Sequence, residues 1–170
     1  PDLEAQVDKT WNWLQADPNA DAPPAPATAR SILTLADPRY PTPLLATEDP
    51  PLILYLQGAA SLLGNAADAP LALGPGLAVV GSRNPTPQGL QNAREFARAL
   101  AQAGLTVVSG LALGVDGAAH EGALAARRNG AARPSTVAVV GTGLDRVYPK
   151  AHHALARRIA CDGLLVSEYP

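Results

Sequence analysis

Residues 77–83 read Leu-Ala-Val-Val-Gly-Ser-Arg, an apolar run that stops at Gly81 and turns abruptly polar. The same pattern returns downstream. Leu105-Thr-Val-Val108 stops at Ser109-Gly110, Thr136-Val-Ala-Val-Val140 stops at Gly141-Thr-Gly143, and Leu164-Leu-Val-Ser-Glu168 closes the chain. The starts at 77, 105, 136 and 164 lie 28, 31 and 28 residues apart, the length of a strand and its crossover helix. Between them the spacing predicts helices from about Pro87 to Ala103, from Val115 to Arg128 and from His152 to Cys161. Phe96, Ala97 and Leu100 give the first an apolar face that Gly104 ends, and Asn129-Gly130 closes the second. Continuous apolar strands alternating with helices predict a parallel sheet covered on both faces. The fold class is therefore α/β, a Rossmann-like doubly wound sheet.

Upstream the signal is weaker. Leu3, Val7, Trp11 and Leu14 recur at helical spacing within residues 2–16, which read as the end of a helix. Asp17–Ala29 is dominated by Ala, Pro and Asp and reads as a linker. From Ile32 to Gly58 the chain is punctuated by Pro, and Leu52-Ile-Leu-Tyr-Leu56 is its one good strand candidate. Residues 61–76 read as loop or short helix. The division is residues 1–30, a helical remnant with its linker, and residues 31–170, a Rossmann-like domain with a small accessory segment in front.

The chain has 170 residues, of which 47% are apolar and 16% charged, enough to build a core of Val, Leu, Ile and Ala and to exclude wholesale disorder. Cys161 is the single cysteine, so an intrachain disulfide or a multi-cysteine zinc site is excluded and a reducing compartment is the natural reading. No apolar run approaches the roughly 18 residues of a membrane span. With no methionine and a start at Pro1, the sequence reads as a processed or excised piece. The net charge of −2 hides an asymmetry: residues 1–75 carry 3 basic and 9 acidic groups (−6), residues 76–170 carry 10 and 6 (+4). A basic half points to anionic ligands, with chance surface balance as the alternative.

In a sheet of this kind ligands bind beyond the carboxyl ends of the strands. Those ends carry Gly81-Ser82-Arg83, Ser109-Gly110, Gly141-Thr142-Gly143 and Ser167-Glu168. Small residues there let backbone N–H groups approach an anion, and helix N-termini add partial positive charge. Tight turns are the alternative use of any one such glycine. A G-x-G-x-x-G dinucleotide fingerprint and a P-loop are both absent, so NAD and ATP in their usual modes are not expected and no cofactor is assigned. Arg83 is placed to clamp a phosphate bidentately, and Lys150 falls on the same rim, a solvated loop charge being the alternative for each. Asp116 and His120 lie at i and i+4 and share a helix face. They read either as a base with its orienting carboxylate or, more simply, as a loop-capping Asp and a packed His. Adjacent His152 and His153 diverge on a helix and make a poor metal pair, so no metal is expected. Tyr148 either stacks on a base or packs in a Tyr-Pro turn.

These strings resemble the DNA-processing protein A family (DprA, also called Smf). The matching text is Asp37-Pro-Arg-Tyr-Pro41, Asp49–Gly58 (DPPLILYLQG), Ala78-Val-Val-Gly-Ser-Arg83, Ser109–His120 (SGLALGVDGAAH), Val137–Pro149 (VAVVGTGLDRVYP) and Ser167-Glu168. It spans residues 31–170, with a weaker echo at Trp13-Leu14. The resemblance implies a cytoplasmic, dimeric protein on an extended Rossmann fold, not an enzyme, that binds single-stranded DNA. It further implies loading of the RecA recombinase in natural transformation and recombination. In the family's terms Arg83 and Lys150 belong to the DNA pocket. Ser82, Ser109, Gly110, Thr142 and Gly143 supply backbone or hydroxyl contacts to phosphates, with Gly81 in the same loop and Asp145 in a supporting role. The family's domain continues beyond Pro170, where its last strands, dimer surface and any winged-helix domain would lie, and it often has Asn where this chain has His152. The competing class is a nucleotide-processing enzyme resembling nucleoside monophosphate phosphoribohydrolases, whose Pro-Gly-Gly-x-Gly-Thr-x-x-Glu string is absent here. A small-nucleotide sensor is a third possibility.

Overall fold

The computed structural model describes residues 2–16, 28–63, 71, 73–126 and 133–169. Most of the expected linker, the 64–70 stretch and the Asn129-Gly130 helix closure lie outside them. In chain order the elements are α1 (Leu3–Gln15), β1 (Thr28–Thr34), α2 (Thr42–Leu45), β2 (Ile53–Ala59), α3 (Ala60–Leu63) and β3 (Gly76–Ala78). There follow α4 (Pro87–Gln102), β4 (Thr106–Ser109), α5 (Val115–Ala125), β5 (Thr136–Val140), a 3₁₀ turn (Lys150–His152), α6 (His153–Asp162) and β6 (Leu164–Ser167). No helix among the described residues is long and apolar enough to cross a membrane.

The six strands form one sheet in the order β1-β2-β6-β5-β4-β3. Strands β3 to β6 are parallel, joined by α4, α5 and α6, which is the Rossmann-like α/β core. Two antiparallel strands extend it: β2 pairs with β6 (Tyr55 opposite Ser167), and β1 pairs with β2 (Thr28 opposite Ala59). Strand β1 falls on a stretch that gave no strand signal, and its first residues, Thr28 to Arg30, cross the expected boundary at residue 30. Its sequence, TARSILT, is more than half polar, and the ladder to β2 together with the burial of Leu33 makes it a strand.

Parity along the strands decides the two faces. Val107, Ala138 and Leu165 point toward the helices, where they meet Ala97, Ala119, Ala123, Leu124, Leu155 and Ile159. Ile159 is fully buried, so its truncation to Ala would cost about 2–5 kcal/mol. On the other face Val137 and Leu164 pack against Leu33, Tyr40, Leu54, Leu56 and Leu63. That cover reaches Val108 of β4 but leaves the carboxyl ends open, where Val139 of β5 and Val80, just past β3, are 48% and 69% exposed. The expectation of a sheet covered on both faces therefore holds only in part for the described residues, because the second face is roofed by the segments flanking β1 and β2 and its strand-end margin stays open.

Local chemistry sets the helix ends. Thr86 caps α4 by accepting from the Gly89 N–H at 3.1 Å, Pro87 opens the first turn, and Gly104 leaves it at φ +87°. Helix α5 is buried from Asp116 to His120 and again at Gly122 to Leu124 because α4 and α6 flank it. At Gly122 the α5 backbone meets the Arg94 carbonyl of α4 so closely that a Cβ has no room.

Helix α1 forms where its spacing predicts, but the Leu3, Val7, Trp11 stripe is not its buried side: these residues are more than half exposed. The helix is held instead through Trp13, whose ring meets Tyr55 edge-on at 6.1 Å, and through Arg30 of β1. The Arg30 guanidinium lies 5.0 Å over the Trp13 ring and donates to the carbonyls of Trp13 (2.5 Å) and Ala16 (3.1 Å). Those carbonyls are the orphaned acceptors at a helix C-terminus, where a cation is favoured.

Candidate functional site

The carboxyl ends of β3 to β6 form a rim, and four short hydrogen-bonded links tie its loops in series. The Ser82 carbonyl accepts from the Val115 N–H at 3.1 Å, joining the loop after β3 to the start of α5. That approach needs two glycines. A Cβ on Gly81 would sit 3.0 Å from the Val115 side chain, and Gly114, at φ +81°, lies directly against the Ser82 carbonyl and Pro85. The second link is internal to the loop after β4: the Asp116 carboxylate accepts from the Gly110 N–H at 3.0 Å and more weakly from the Ala112 N–H at 3.4 Å. Third, the His152 ring packs on Gly117 and its Nδ1 lies 2.9 Å from the Leu111 carbonyl, which only accepts, so Nδ1 carries the proton. Leu111 itself is buried and holds φ +60°, a backbone conformation that the surrounding bonds enforce. Fourth, the Ser167 hydroxyl donates to the Thr142 carbonyl at 2.7 Å and accepts from the Tyr169 N–H at 3.0 Å.

This chain of links brings Arg83 and Lys150 to one rim. Arg83 follows Ser82 directly, and Lys150 opens the 3₁₀ turn that ends at His152. Both are exposed, and neither side chain makes a hydrogen bond or ion pair among the described residues. Other cations nearby are committed. Arg146 and Lys9 share the Asp145 carboxylate, with Lys9 Nζ at 3.0 Å, and together they hold that carboxyl below its usual range, the Arg146 bond contributing most. Arg94 pairs with Glu121 across α4 and α5. Tyr148 is 68% exposed beside Lys150 and follows the same loop.

Several expected contacts take a different form. The Ser109 hydroxyl is buried and donates to the Val79 carbonyl at 2.7 Å, stitching β4 to β3. The Gly110 amide is held by Asp116. Neither group faces the rim with a free donor, so both shape the loop instead of offering the direct contact expected of them. Gly143 is buried, while Gly141 has open space where a Cβ would project. Ser82 uses its hydroxyl to accept from the Asn84 N–H at 3.1 Å, which leaves its O–H proton available outward. Thr142, on the loop after β5 with the loop after β4 between it and Ser82, is half-buried.

Asp116 and His120 share a helix face but do not bond to each other. His120 is fully buried, with Nδ1 2.7 Å from the Thr136 hydroxyl, which in turn donates to the Val107 carbonyl at 2.8 Å. The hydroxyl proton is thereby used, so His120 donates from Nδ1, and its Nε2 is a bare acceptor without a partner. Burial pushes its pKa down to about 4, with Asp116 opposing and the neighbouring His152 adding to the shift. The imidazole therefore sits beneath the loops as a neutral strut. Sequence reasoning also missed residues that hold the rim. His152 sits where sequence spacing says only that two histidines diverge, and Lys9 bridges to Asp145 from a remote helix, a pairing that carries no local signal. Among the described residues no cluster of His, Cys, Asp and Glu is arranged to hold a metal ion.

Comparison with known proteins agrees with the strand-end motifs. Residues 31–170 match the family of DNA recombination-mediator protein A. Protein Smf of Synechocystis is 41% identical over 139 residues, covering 82% of this chain and 32% of its own length. DNA processing protein DprA of Streptococcus pneumoniae is 40% identical over 136 residues, covering 80% of this chain and 43% of its own. The crystal structure of the Streptococcus pneumoniae protein superposes with a TM-score of 0.66 at 37% identity, covering 82% of this chain and 44% of that one. A structure of DNA processing protein A from Helicobacter pylori, concerned with its single-stranded DNA binding mode, superposes with a TM-score of 0.64 at 34% identity, over 82% of this chain and 55% of that one. The chain thus spans about a third to somewhat under a half of the length of these curated relatives. With the family matched over residues 31–170 and the fold shared with solved relatives, the chain belongs to the DNA recombination-mediator protein A (DprA/Smf) family.

Proposed function

We propose that this chain binds single-stranded DNA along the Arg83–Lys150 rim, without strong base preference, and performs no hydrolysis. One observation carries the reading: two exposed cations whose side chains have no partner among the described residues stand on loops that internal bonds already hold in place. Cations carried on tied loops along a rim suit a repeating phosphate backbone, and an exposed tyrosine beside Lys150 suits a base face. The structure described for the Helicobacter pylori relative, which concerns single-stranded DNA, supports the same ligand. Direct contacts fall to Arg83, Lys150, Ser82 and Thr142, with Gly81, Ser109, Gly110, Gly143, Asp116 and His120 shaping the loops. Within the longer proteins of its family we assign the domain to delivering strands to RecA, as part of a cytoplasmic homodimer. The test is a titration of oligo-dT and of a duplex of equal length under identical salt, with mononucleotide hydrolysis measured alongside. Preference for the single strand without turnover is expected; equal or tighter duplex binding refutes the reading. Base or phosphate release by the purified protein would favour the nucleotide-processing alternative.

A further inference from the structure

We propose that His152 is a third phosphate ligand of the rim, which takes up a proton as the strand binds and then donates from Nε2 to a backbone phosphate. The proposal rests on the single-strand reading above and concerns the regulation of that same site. His152 closes the 3₁₀ turn that Lys150 opens, so both side chains spring from one turn. The seat of its ring is built for it. Nδ1 lies 2.9 Å from the Leu111 carbonyl, and a Cβ on Gly117 would stand 2.6 Å from Cε1 and 2.9 Å from Nε2, so a glycine is what leaves the imidazole its place on α5.

With Nδ1 carrying the proton, Nε2 is the basic nitrogen of the ring. It has no partner among the described residues and it reaches solvent, whereas the Nε2 of His120 is sealed. The two histidines therefore differ in what a proton would do. On His120 it would be buried, and burial holds that pKa down to about 4. On His152 it enters at the solvent side and supplies both a charge and a donor.

The groups around the ring decide when that charge is favoured. The loop after β4, residues 109–114, brings no titratable side chain. Helix α5 brings the Asp116 carboxylate, which favours an imidazolium, and His120, which burial keeps neutral. The turn itself and α6 bring Lys150 and His153, whose charges oppose it, and the 141–149 loop brings Tyr148 and the Asp145–Arg146 pair that Lys9 joins. His152 is also the N-cap of α6 without a capping bond from its side chain, and Gly117 lies in the first turn of α5. The positive ends of two helices oppose a cation and favour an anion. The charged ring is therefore favoured most with a phosphate against it, and proton uptake and strand binding support one another. A ring that only tied down Leu111 would show no such linkage.

The experiment titrates the full chain with oligo-dT under identical salt at pH values stepped from about 8 down to about 5.5, the span over which histidine changes charge. The imidazole resonances of His152 are followed by NMR with and without oligo-dT. Affinity should rise by up to about tenfold as pH falls, the lower end of what a charge-assisted hydrogen bond contributes. The titration midpoint of His152 should move up by about one pH unit on binding, which is the same tenfold read on the proton. The salt dependence of log K should steepen by about 0.7 at the lower pH. His152→Asn, whose amide can donate to the Leu111 carbonyl without carrying a charge, should lose the rise, and His153→Gln should keep it. A rise that survives His152→Asn, or a His152 midpoint that oligo-dT does not move, overturns the proposal while leaving the rim intact. The midpoint is read on the unaltered protein and so decides the matter whether or not the variant folds. Failure of oligo-dT to bind at every pH overturns the single-strand reading itself, and this proposal with it.

Discussion

Replacing Arg83 by Ala isolates the rim from the fold. The side chain is exposed and bonds nothing among the described residues, so its removal should change stability by no more than about 0.5 kcal/mol, the usual range for surface substitutions. Its backbone, in contrast, is fixed: the preceding Ser82 carbonyl is bonded to Val115 N–H, and Gly114 packs against the same turn. A guanidinium presented from a fixed turn loses little loop entropy on binding, so a charge-assisted, two-point contact to phosphate should realise most of its value, about 1.5–3 kcal/mol. In affinity that is a loss of roughly ten- to 150-fold for Arg83→Ala. Arg83→Lys should recover only part, because an ammonium offers a point charge instead of a planar fork. Lys150→Ala should cost less than Arg83→Ala and fade as salt rises. Each neutralisation should also shallow the salt dependence of log K by about 0.7, the value per phosphate contact on a single strand. The assay is a salt-titrated oligo-dT affinity for wild type and the three variants, with melting temperatures alongside. Wild-type affinity in a folded Arg83→Ala protein would refute the placement of the strand on this rim.

Two further outcomes follow from the buried groups. Asp116→Ala removes the carboxylate that accepts from the Gly110 and Ala112 amides, and should destabilise the domain by about 1–3 kcal/mol in chemical denaturation while weakening oligo-dT binding; unchanged amide exchange at Gly110 would contradict this. His120 has a folded pKa of about 4 against an ordinary 6.5, so below 6.5 the unfolded chain binds a proton that the folded one refuses. Stability is therefore full above pH 6.5 and falls as pH drops toward 4, by up to roughly 3 kcal/mol. His120→Gln should flatten that part of the stability–pH curve, measured by denaturant titration at stepped pH; an unaltered slope would show that another group governs it.

The parallel core was legible because Leu77–Val80, Leu105–Val108, Thr136–Val140 and Leu164–Ser167 are short apolar runs ended by small residues, a pattern that few other folds produce. Strand β1 was not, since an edge strand with Ser31 and Arg30 in it is stabilised by its ladder to β2 and carries no alternation of its own. Helix α1 shows a subtler failure. Periodicity located the helix, but its docking runs through Trp13 to Tyr55 and Arg30, off the apolar stripe, and no window of sequence contains those partners. In the rim, Arg83 and Lys150 were readable from their position after a strand. What sequence could not separate was a polar group offered outward from one consumed inward: Ser109 and Gly110 follow a strand as Ser82 does, yet the Val79 carbonyl and the Asp116 carboxylate absorb their donors.

The contact of Gly122 with the Arg94 carbonyl has a mechanical consequence. Helices that slide past one another do so by letting interdigitated side chains change rotamer, and here backbone lies on backbone with no side chain between. Helices α4 and α5 are therefore geared together, and their N-terminal ends carry the turn of Arg83 and the loop from Ser109 to Gly114. The 141–150 segment is tied by side chains instead, among the described residues by the Ser167 hydroxyl at Thr142, by Lys9 at Asp145 and, just past Lys150, by His152 at Leu111, so a strand pulled along the edge meets backbone gearing on one side and side-chain ties on the other.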